Sequence, residues 1–310
     1  MKILIASKID PATSAHLDTE HELVWAVDGE EDELVEAIQG CEAVILRSGV
    51  QINGTVMAAS PDLRMVVRAG SGLDNIDLPY VEQNGIELVR IAEPGGKAVA
   101  ELAFAFMLAL SRQLRKADRL TRQGQWAKYE LAGRLISGKT LGIVGCGMIG
   151  TRVGLMGAAW DMEVLGCREP GRGNEVGLLE GAIKLTTLDE LLAKSDYVSV
   201  HVPLDGSTRG LIGSRELGLM RPGSYLINLA RGGVVDEQAL LEQLMTPDRL
   251  AGAATDVHQR EGQGVISPLA ELDNVLLTPH MGAMAAEVQS EIGQRIIEAI
   301  EGPRPMGEMT

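Results

Sequence analysis

The stretch Leu141-Gly142-Ile143-Val144-Gly145-Cys146-Gly147-Met148-Ile149-Gly150 decides the fold. Its apolar first half reads as a strand, its glycines as a tight turn, and residues 151–159 as the helix that follows. Glycines at this spacing permit the turn, let backbone N–H groups approach a pyrophosphate, and aim a helix N-terminus at the anion. Gly-x-Gly-x-x-Gly alone is a weak signal in a chain with 37 glycines. The strand before it and the helix after it make it a dinucleotide site, with Gly145, Gly147, Met148, Ile149 and Gly150 as binding positions. Such sites place an acidic residue about 20 residues on, against the ribose hydroxyls. Here Arg168 ends the next strand and Glu169 follows it. An arginine there can hold a 2′-phosphate, which favours NADP(H) over NAD(H); Glu169 turned inward would instead serve NAD(H).

Outward from this stretch, short β-branched runs alternate with helical segments from end to end, the pattern of an α/β protein with parallel sheets. The first series of strands is expected at 2–6, 22–26, 43–47, 64–68 and 86–91. The second is expected at 141–145, 163–167, 183–185, 197–202, 225–229, 252–256 and 275–277. Thr187-Leu188-Asp189-Glu190 reads as a capping box and Asp236 as an N-cap. A long apolar helix from about Ala98 lies between the two series, after the hinge-like Glu93-Pro94-Gly95-Gly96. A second hinge candidate, Met281-Gly282-Ala283, precedes a last helix at about 285–301, and the tail 302–310 is expected to be poorly ordered.

Composition excludes several classes. A net charge of −15 repels nucleic-acid backbones and anionic lipid surfaces. The apolar run 98–110 is interrupted by Glu101 and is too short to span a bilayer, so it suits a helix buried on nearly all sides. The N-terminus Met1-Lys2-Ile3-Leu4-Ile5 reads as a first strand and not as a signal peptide. Three cysteines, Cys41, Cys146 and Cys167, show no metal-ligand spacing, which points to a reduced, cytoplasmic compartment and no metal site.

Polar groups stand at three strand ends of the second series: Asn228-Leu229-Ala230-Arg231-Gly232-Gly233, Asp256-Val257-His258-Gln259-Arg260-Glu261 and Thr278-Pro279-His280-Met281-Gly282. Open α/β sheets bind ligands beyond the carboxyl ends of their strands, so these groups can converge. With the glycine turn, with Arg68-Ala69-Gly70-Ser71-Gly72-Leu73-Asp74-Asn75-Ile76-Asp77, with Val99-Ala100-Glu101 and with Gly138-Lys139-Thr140, they closely resemble the NAD(P)-dependent D-isomer-specific 2-hydroxyacid dehydrogenase family over nearly the whole chain.

The resemblance implies two doubly wound domains: a Rossmann cofactor domain (98–283) inserted in a flavodoxin-like substrate domain (1–97 and 284–310), closing over substrate. It implies hydride transfer between NAD(P)H and a small 2-oxo or 2-hydroxy acid, and a homodimer joined through the cofactor domain. Arg231 matches the arginine that grips substrate carboxylate and carbonyl, His280 the acid/base, and Glu261 the carboxylate that orients this imidazole and favours its protonated form. The N–H groups of Ser71 and Gly72 match the substrate-carboxylate cradle. Asp256 matches the group that holds the nicotinamide carboxamide; Pro203, Thr208, Leu229, Ala230 and Gly282, with Arg231 and His280, complete the cofactor's surroundings. His258 stands where the family usually has an aromatic residue and reads as packing; His201 has no catalytic role. Two alternatives use the same scaffold: a cofactor-sensing regulator, and a phosphite or formate dehydrogenase, the formate version disfavoured by Glu261 where a glutamine is usual.

Overall fold

The computed structural model describes residues 1–168 and 178–302. Two compact units emerge: Met1–Gly95 together with the chain from Ala283 onward, and Gly96–Gly282. The expected breaks at 97/98 and 283/284 compare with 95/96 and 282/283 in the structure. The expectations for Glu169 and for most of the C-terminal tail fall outside the described residues.

In the first unit β1 (Lys2–Ile5), β2 (Glu22–Trp25), β3 (Ala43–Leu46), β4 (Met65–Arg68) and β5 (Glu87–Arg90) form a parallel sheet in the order β2-β1-β3-β4-β5. This is the flavodoxin-like order, with its topological switch between β1 and β3. Ala43, Val44, Ile45 and Leu46 are all fully buried, as a parallel strand covered on both faces requires. Each such aliphatic side chain contributes about 1.5–3 kcal/mol on burial. The final helix, Ala286–Glu301, belongs to this unit. It lies so close to the helix Pro11–Glu20 that a Cβ on Gly293 would meet Thr13 Oγ1 at 1.9 Å.

The second unit carries β6 (Thr140–Val144), β7 (Glu163–Cys167), β8 (Leu178–Leu179), β9 (Ile183–Leu185), β10 (Tyr197–Val200), β11 (Tyr225–Asn228), β12 (Gly252–Thr255) and β13 (Val275–Leu277). Their order is β13-β12-β11-β10-β6-β7-β9-β8, parallel except for the β8–β9 edge pair. The chain therefore switches direction between β6 and β10, the Rossmann arrangement. One core, with Val144, Val198 and Leu226, covers one face; the other, with Leu141, Ile143 and Ile227, covers the opposite face. Alternation along β6 and β11 feeds both cores from the same strands.

Three local readings need correction. The long helix runs from Glu93 to Ser111, so Pro94-Gly95-Gly96 forms its first turn and not a break before it. Proline is tolerated there because the first turn's N–H groups have no partners within the helix. The helix is also less encircled than expected: Glu93, Lys97, Glu101 and Ala105 form one exposed stripe, while Ala103, Phe104 and Met107 are buried within the unit. At Thr187 only half of the capping box forms. Its hydroxyl accepts from Glu190 N at 3.3 Å, but the Glu190 carboxylate turns to Thr186 Oγ1 and Lys194. Asp236 caps as read, accepting from Gln238 N and Ala239 N.

Candidate active site

The glycine turn stands at the switch between β6 and β10. Gly145 has φ +98°, and a Cβ there would meet Val202 and the His201 carbonyl carbon at 2.8–2.9 Å. Gly150 comes as close to the Gly145 carbonyl, where a Cβ would lie at 2.1 Å. Gly147 differs: its φ is an ordinary −85°, and a Cβ there would find no atom of the described residues within 4 Å. Among the described residues nothing requires glycine at 147, whereas a ligand pressed against the backbone would. The helix Met148–Ala159 begins directly on this residue, with no side-chain cap, so its first N–H groups are left for an anion. The residues present fit a dinucleotide.

Around the turn, half-buried Arg168 follows β7. Burial pushes the Cys146 thiol up to about 12, Cys167 adds to the effect, and the Arg168 charge opposes it. Arg168 is thus an electrostatic neighbour of the glycine turn. Cys146 packs over Gly166 on one face of the sheet, while Cys167 lies in the core on the other, so the two thiols face apart. Among the described residues no group of His, Cys, Asp and Glu is placed to hold a metal ion. In the loop after β10 the Thr208 hydroxyl is fully buried, donating to the Pro203 carbonyl at 2.6 Å and accepting from Asp205 N at 2.9 Å. Thr208 shapes this loop from inside, and Pro203 is exposed.

The segments after β11, β12 and β13 carry the residues expected to serve acid–base chemistry. His280 Nδ1 donates to Glu261 Oε2 at 2.8 Å. A hydrogen bond to a carboxylate at Nδ1 leaves Nε2 as the working nitrogen. The His280 and Glu261 side chains are 24% and 35% exposed, open enough to exchange protons with a ligand. Burial alone would raise the Glu261 carboxyl pKa, but the hydrogen bond and charge of His280, aided by the His258 N–H, hold it below the usual carboxylate range.

His280 has φ +53°, a left-handed conformation that L-residues rarely adopt. Asp256 holds it there. Its carbonyl accepts from His280 N at 2.7 Å, and its carboxylate from Thr278 Oγ1, Met281 N and Gly282 N at 2.6, 2.8 and 2.7 Å. A Cβ on Gly282 would press within 2.9 Å of the Asp256 carboxylate, so this loop closes only with glycine. A carboxylate offers about four acceptor positions, of which these bonds occupy three. Arg231 follows β11, and Asn228 sets its loop, accepting from Ala230 N at 3.1 Å and donating to the Arg231 carbonyl at 3.4 Å. Leu229 and Ala230 are buried beneath it.

In the first unit Ser71 and Gly72 are half-buried in the loop after β4. Buried Asn75, from the same motif, donates to the carbonyls of Arg47 and Val50 at 2.9 and 2.6 Å. Arg47 is a further candidate, one that the sequence reading does not single out. It stands at the end of β3, its N–H donating to Ser7 Oγ at 3.0 Å across the β1/β3 switch point. Its guanidinium donates to the amide oxygen of Gln289, a neutral group, and burial pushes its pKa down. An arginine directly after an apolar strand was the available signal, the same one that marked Arg231.

Residues 104–282 match the family described as D-isomer specific 2-hydroxyacid dehydrogenase, NAD binding domain. The chain belongs to this family. It is 38% identical to the D-3-phosphoglycerate dehydrogenase of Mycobacterium bovis, over 96% of this chain and 56% of that protein. It therefore spans about half the length of the curated phosphoglycerate dehydrogenases it matches. It is 34% identical to a hydroxypyruvate reductase of Thermotoga maritima, over 93% of each. Among solved structures, the D-lactate dehydrogenase of Aquifex aeolicus complexed with NAD and lactic acid superposes with a TM-score of 0.83 at 26% identity, over 97% of this chain and 94% of that one. As expected for a member of this family, the strand orders are those of two doubly wound parallel sheets.

Proposed function

We propose that the protein transfers a hydride between NAD(P)H and a small 2-oxo acid, giving a D-2-hydroxy acid. The observation that carries this reading is the His280–Glu261 pair at 2.8 Å, on the same sheet edge as the glycine turn and Arg231. When bound, the nicotinamide supplies the hydride. Arg231 holds the substrate carboxylate and draws charge from its carbonyl through paired guanidinium donors. His280, protonated, gives its Nε2 proton to the oxygen as that oxygen gains charge. Glu261 stabilises the imidazolium through Nδ1, and Asp256 fixes the loop and keeps one acceptor position for the carboxamide. Each turnover consumes one proton and one hydride and leaves a hydroxyl. The Ser71 and Gly72 N–H groups serve a substrate carboxylate, and the remaining turn and loop residues line the cofactor.

The cofactor is assigned as NADP(H), on the support of Arg168 beside the turn. The substrate class is assigned as a 2-oxo acid with a second anionic group, such as a phosphorylated hydroxypyruvate. Arg47 supports this: a half-buried guanidinium with a neutral partner at a switch point favours an anionic ligand. The phosphoglycerate dehydrogenases to which the chain is similar fit the same class. A homodimer through the cofactor domain is supported by residues 112–135, where Trp126, Tyr129 and Leu135 are 85%, 89% and 73% exposed, more apolar surface than a monomer carries without a use. A cytoplasmic setting fits the free cysteines. Oxidation of NADPH and NADH by glyoxylate, pyruvate, hydroxypyruvate and its phosphorylated form tests the reading. Turnover is expected, fastest with NADPH and the phosphorylated acid; no oxidation with any of the four would overturn it.

A further inference from the structure

One residue touches all three segments that carry Arg231, Glu261 and His280. The His258 N–H donates to Glu261 Oε1 at 3.0 Å. Its ring Nε2 lies 2.9 Å from the Thr278 carbonyl, two residues before His280. Its own carbonyl packs so tightly on the loop after Arg231 that a Cβ on Gly232 would lie 1.8 Å away. The next residue is anchored as well, Gln259 N donating to buried Glu237 Oε1 at 2.6 Å.

The chemistry of these contacts fixes the state of the ring. A carbonyl only accepts, so Nε2 carries the proton. Nδ1 is buried and, among the described residues, has no hydrogen-bond partner, so a second proton there would add an unsatisfied buried donor. The charged groups around the residue are Glu261 and His280 in front, Glu237 and Asp256 on the neighbouring segments, and Arg231 beside Gly232.

We propose that His258 is a positioning residue: through its Nε2 proton it ties the Thr278 carbonyl to the Glu261 loop and so sets the His280–Glu261 spacing. A phenylalanine at this position fills the same volume but cannot make the tie. The inference rests on the hydride-transfer reading above for its kinetic consequences, but not for the ring's protonation state.

The test uses His258→Phe, which keeps ring volume without a donor, and His258→Gln, whose amide N–H reaches where Nε2 does. With the best 2-oxo acid and NAD(P)H, His258→Phe is expected to lower kcat about tenfold with KM within about twofold. It should also move the alkaline limb of kcat/KM to lower pH, and His258→Gln should restore both. Histidine ring 15N spectra should show the His258 proton at Nε2, and the His280 ring signals should shift in His258→Phe. Wild-type kcat and pH profile in His258→Phe, or a His258 ring whose proton sits at Nδ1 instead, would overturn the proposal. A wild type that oxidised no cofactor would sink the hydride-transfer reading instead. The spectra would then decide His258 alone: unmoved His280 signals in His258→Phe would overturn the tie, and shifted ones would support it.

Discussion

The two sheets present anion-seeking groups at their switch points in opposite ways. Between β6 and β10 the larger sheet offers glycine backbone and an uncapped helix start. Between β1 and β3 the smaller sheet offers a side chain, Arg47, steadied through its own N–H by Ser7 and through its carbonyl by Asn75. A backbone cradle reads the shape of a pyrophosphate and tolerates little besides glycine. A half-buried guanidinium reads charge and can be tuned by substitution without reshaping the chain. On the proposed function, the backbone cradle holds the cofactor and the guanidinium chooses among substrates.

The largest effect should come from the larger sheet, where the proposed function has His280 and Arg231 act on the reacting atoms. His280→Gln is expected to lower kcat about 10³-fold, and Arg231→Ala about 10²–10³-fold, with cofactor binding spared in fluorescence titrations. Near-normal turnover in either variant would remove that residue from the chemistry.

The backbone cradle can be broken in two distinguishable ways. Gly147→Val should leave the melting temperature near that of the wild type, because a Cβ there meets no atom of the described residues within 4 Å, yet weaken cofactor binding by about tenfold or more. Gly150→Ala should instead lower the melting temperature, since its Cβ would collide with the Gly145 carbonyl at 2.1 Å. Equal cofactor affinity in wild type and Gly147→Val would contradict a pyrophosphate at this turn. The side-chain site is sharpened by Arg47→Gln. Losing a charge-assisted contact of about 1.5–3 kcal/mol should raise KM for a phosphorylated 2-oxo acid while leaving glyoxylate little changed. A uniform rise for both would deny Arg47 its role in choosing substrate.

Titration gives smaller effects. Glu261 has a lowered pKa, so it stays ionised through the ordinary carboxylate range, and the stability this gives is fully present above that range and is lost as pH falls through the lowered pKa. Glu261→Gln removes the charge that favours the imidazolium, and the alkaline limb of kcat/KM for reduction should move to lower pH. An unmoved limb would show that Glu261 does not act through His280. His201 is the mildest case. Burial pushes its pKa from 6.5 down to about 4, so its neutral form stabilises the fold fully above pH 6.5 and that contribution fades as pH falls toward 4. The melting temperature of His201→Asn should therefore depend less steeply on pH over that window than that of the wild type; equal slopes would refute the burial effect.

Much of the fold is legible because the strands of parallel sheets are short apolar runs: all twelve strands expected from the sequence lie within two residues of the observed ones at either end, three of them with the same bounds. The Gly145 turn is legible from its own spacing between a strand and a helix, whereas the roles expected of Arg231, Glu261 and His280 come only from the family resemblance, because nothing local to each residue announces them. What stayed hidden depends on packing across sequence distance. No local pattern announces that Asp256 spends its carboxylate on the loop of residues 278–282, or that Asn75 holds the loop after β3. The β8 edge pairs over two residues, too short for periodicity to register. The start of the long helix was misread because Pro-Gly-Gly is a breaker inside a helix but harmless in its first turn. His258 looked like packing because its partner, the Thr278 carbonyl, lies twenty residues away.

On the proposed function, the residues gathered at the larger sheet's edge hold a 2-oxo acid and protonate its carbonyl oxygen, while the nicotinamide, when bound, supplies the hydride to its carbonyl carbon. The most direct measurement supplies NADPH or NADH carrying deuterium at C4 of the nicotinamide, with the panel of 2-oxo acids, and locates the label in the product. Deuterium at C2 of a D-2-hydroxy acid, abolished in His280→Gln, is the predicted result. A cofactor left unoxidised by every acid, or a product without deuterium at C2, would contradict the account.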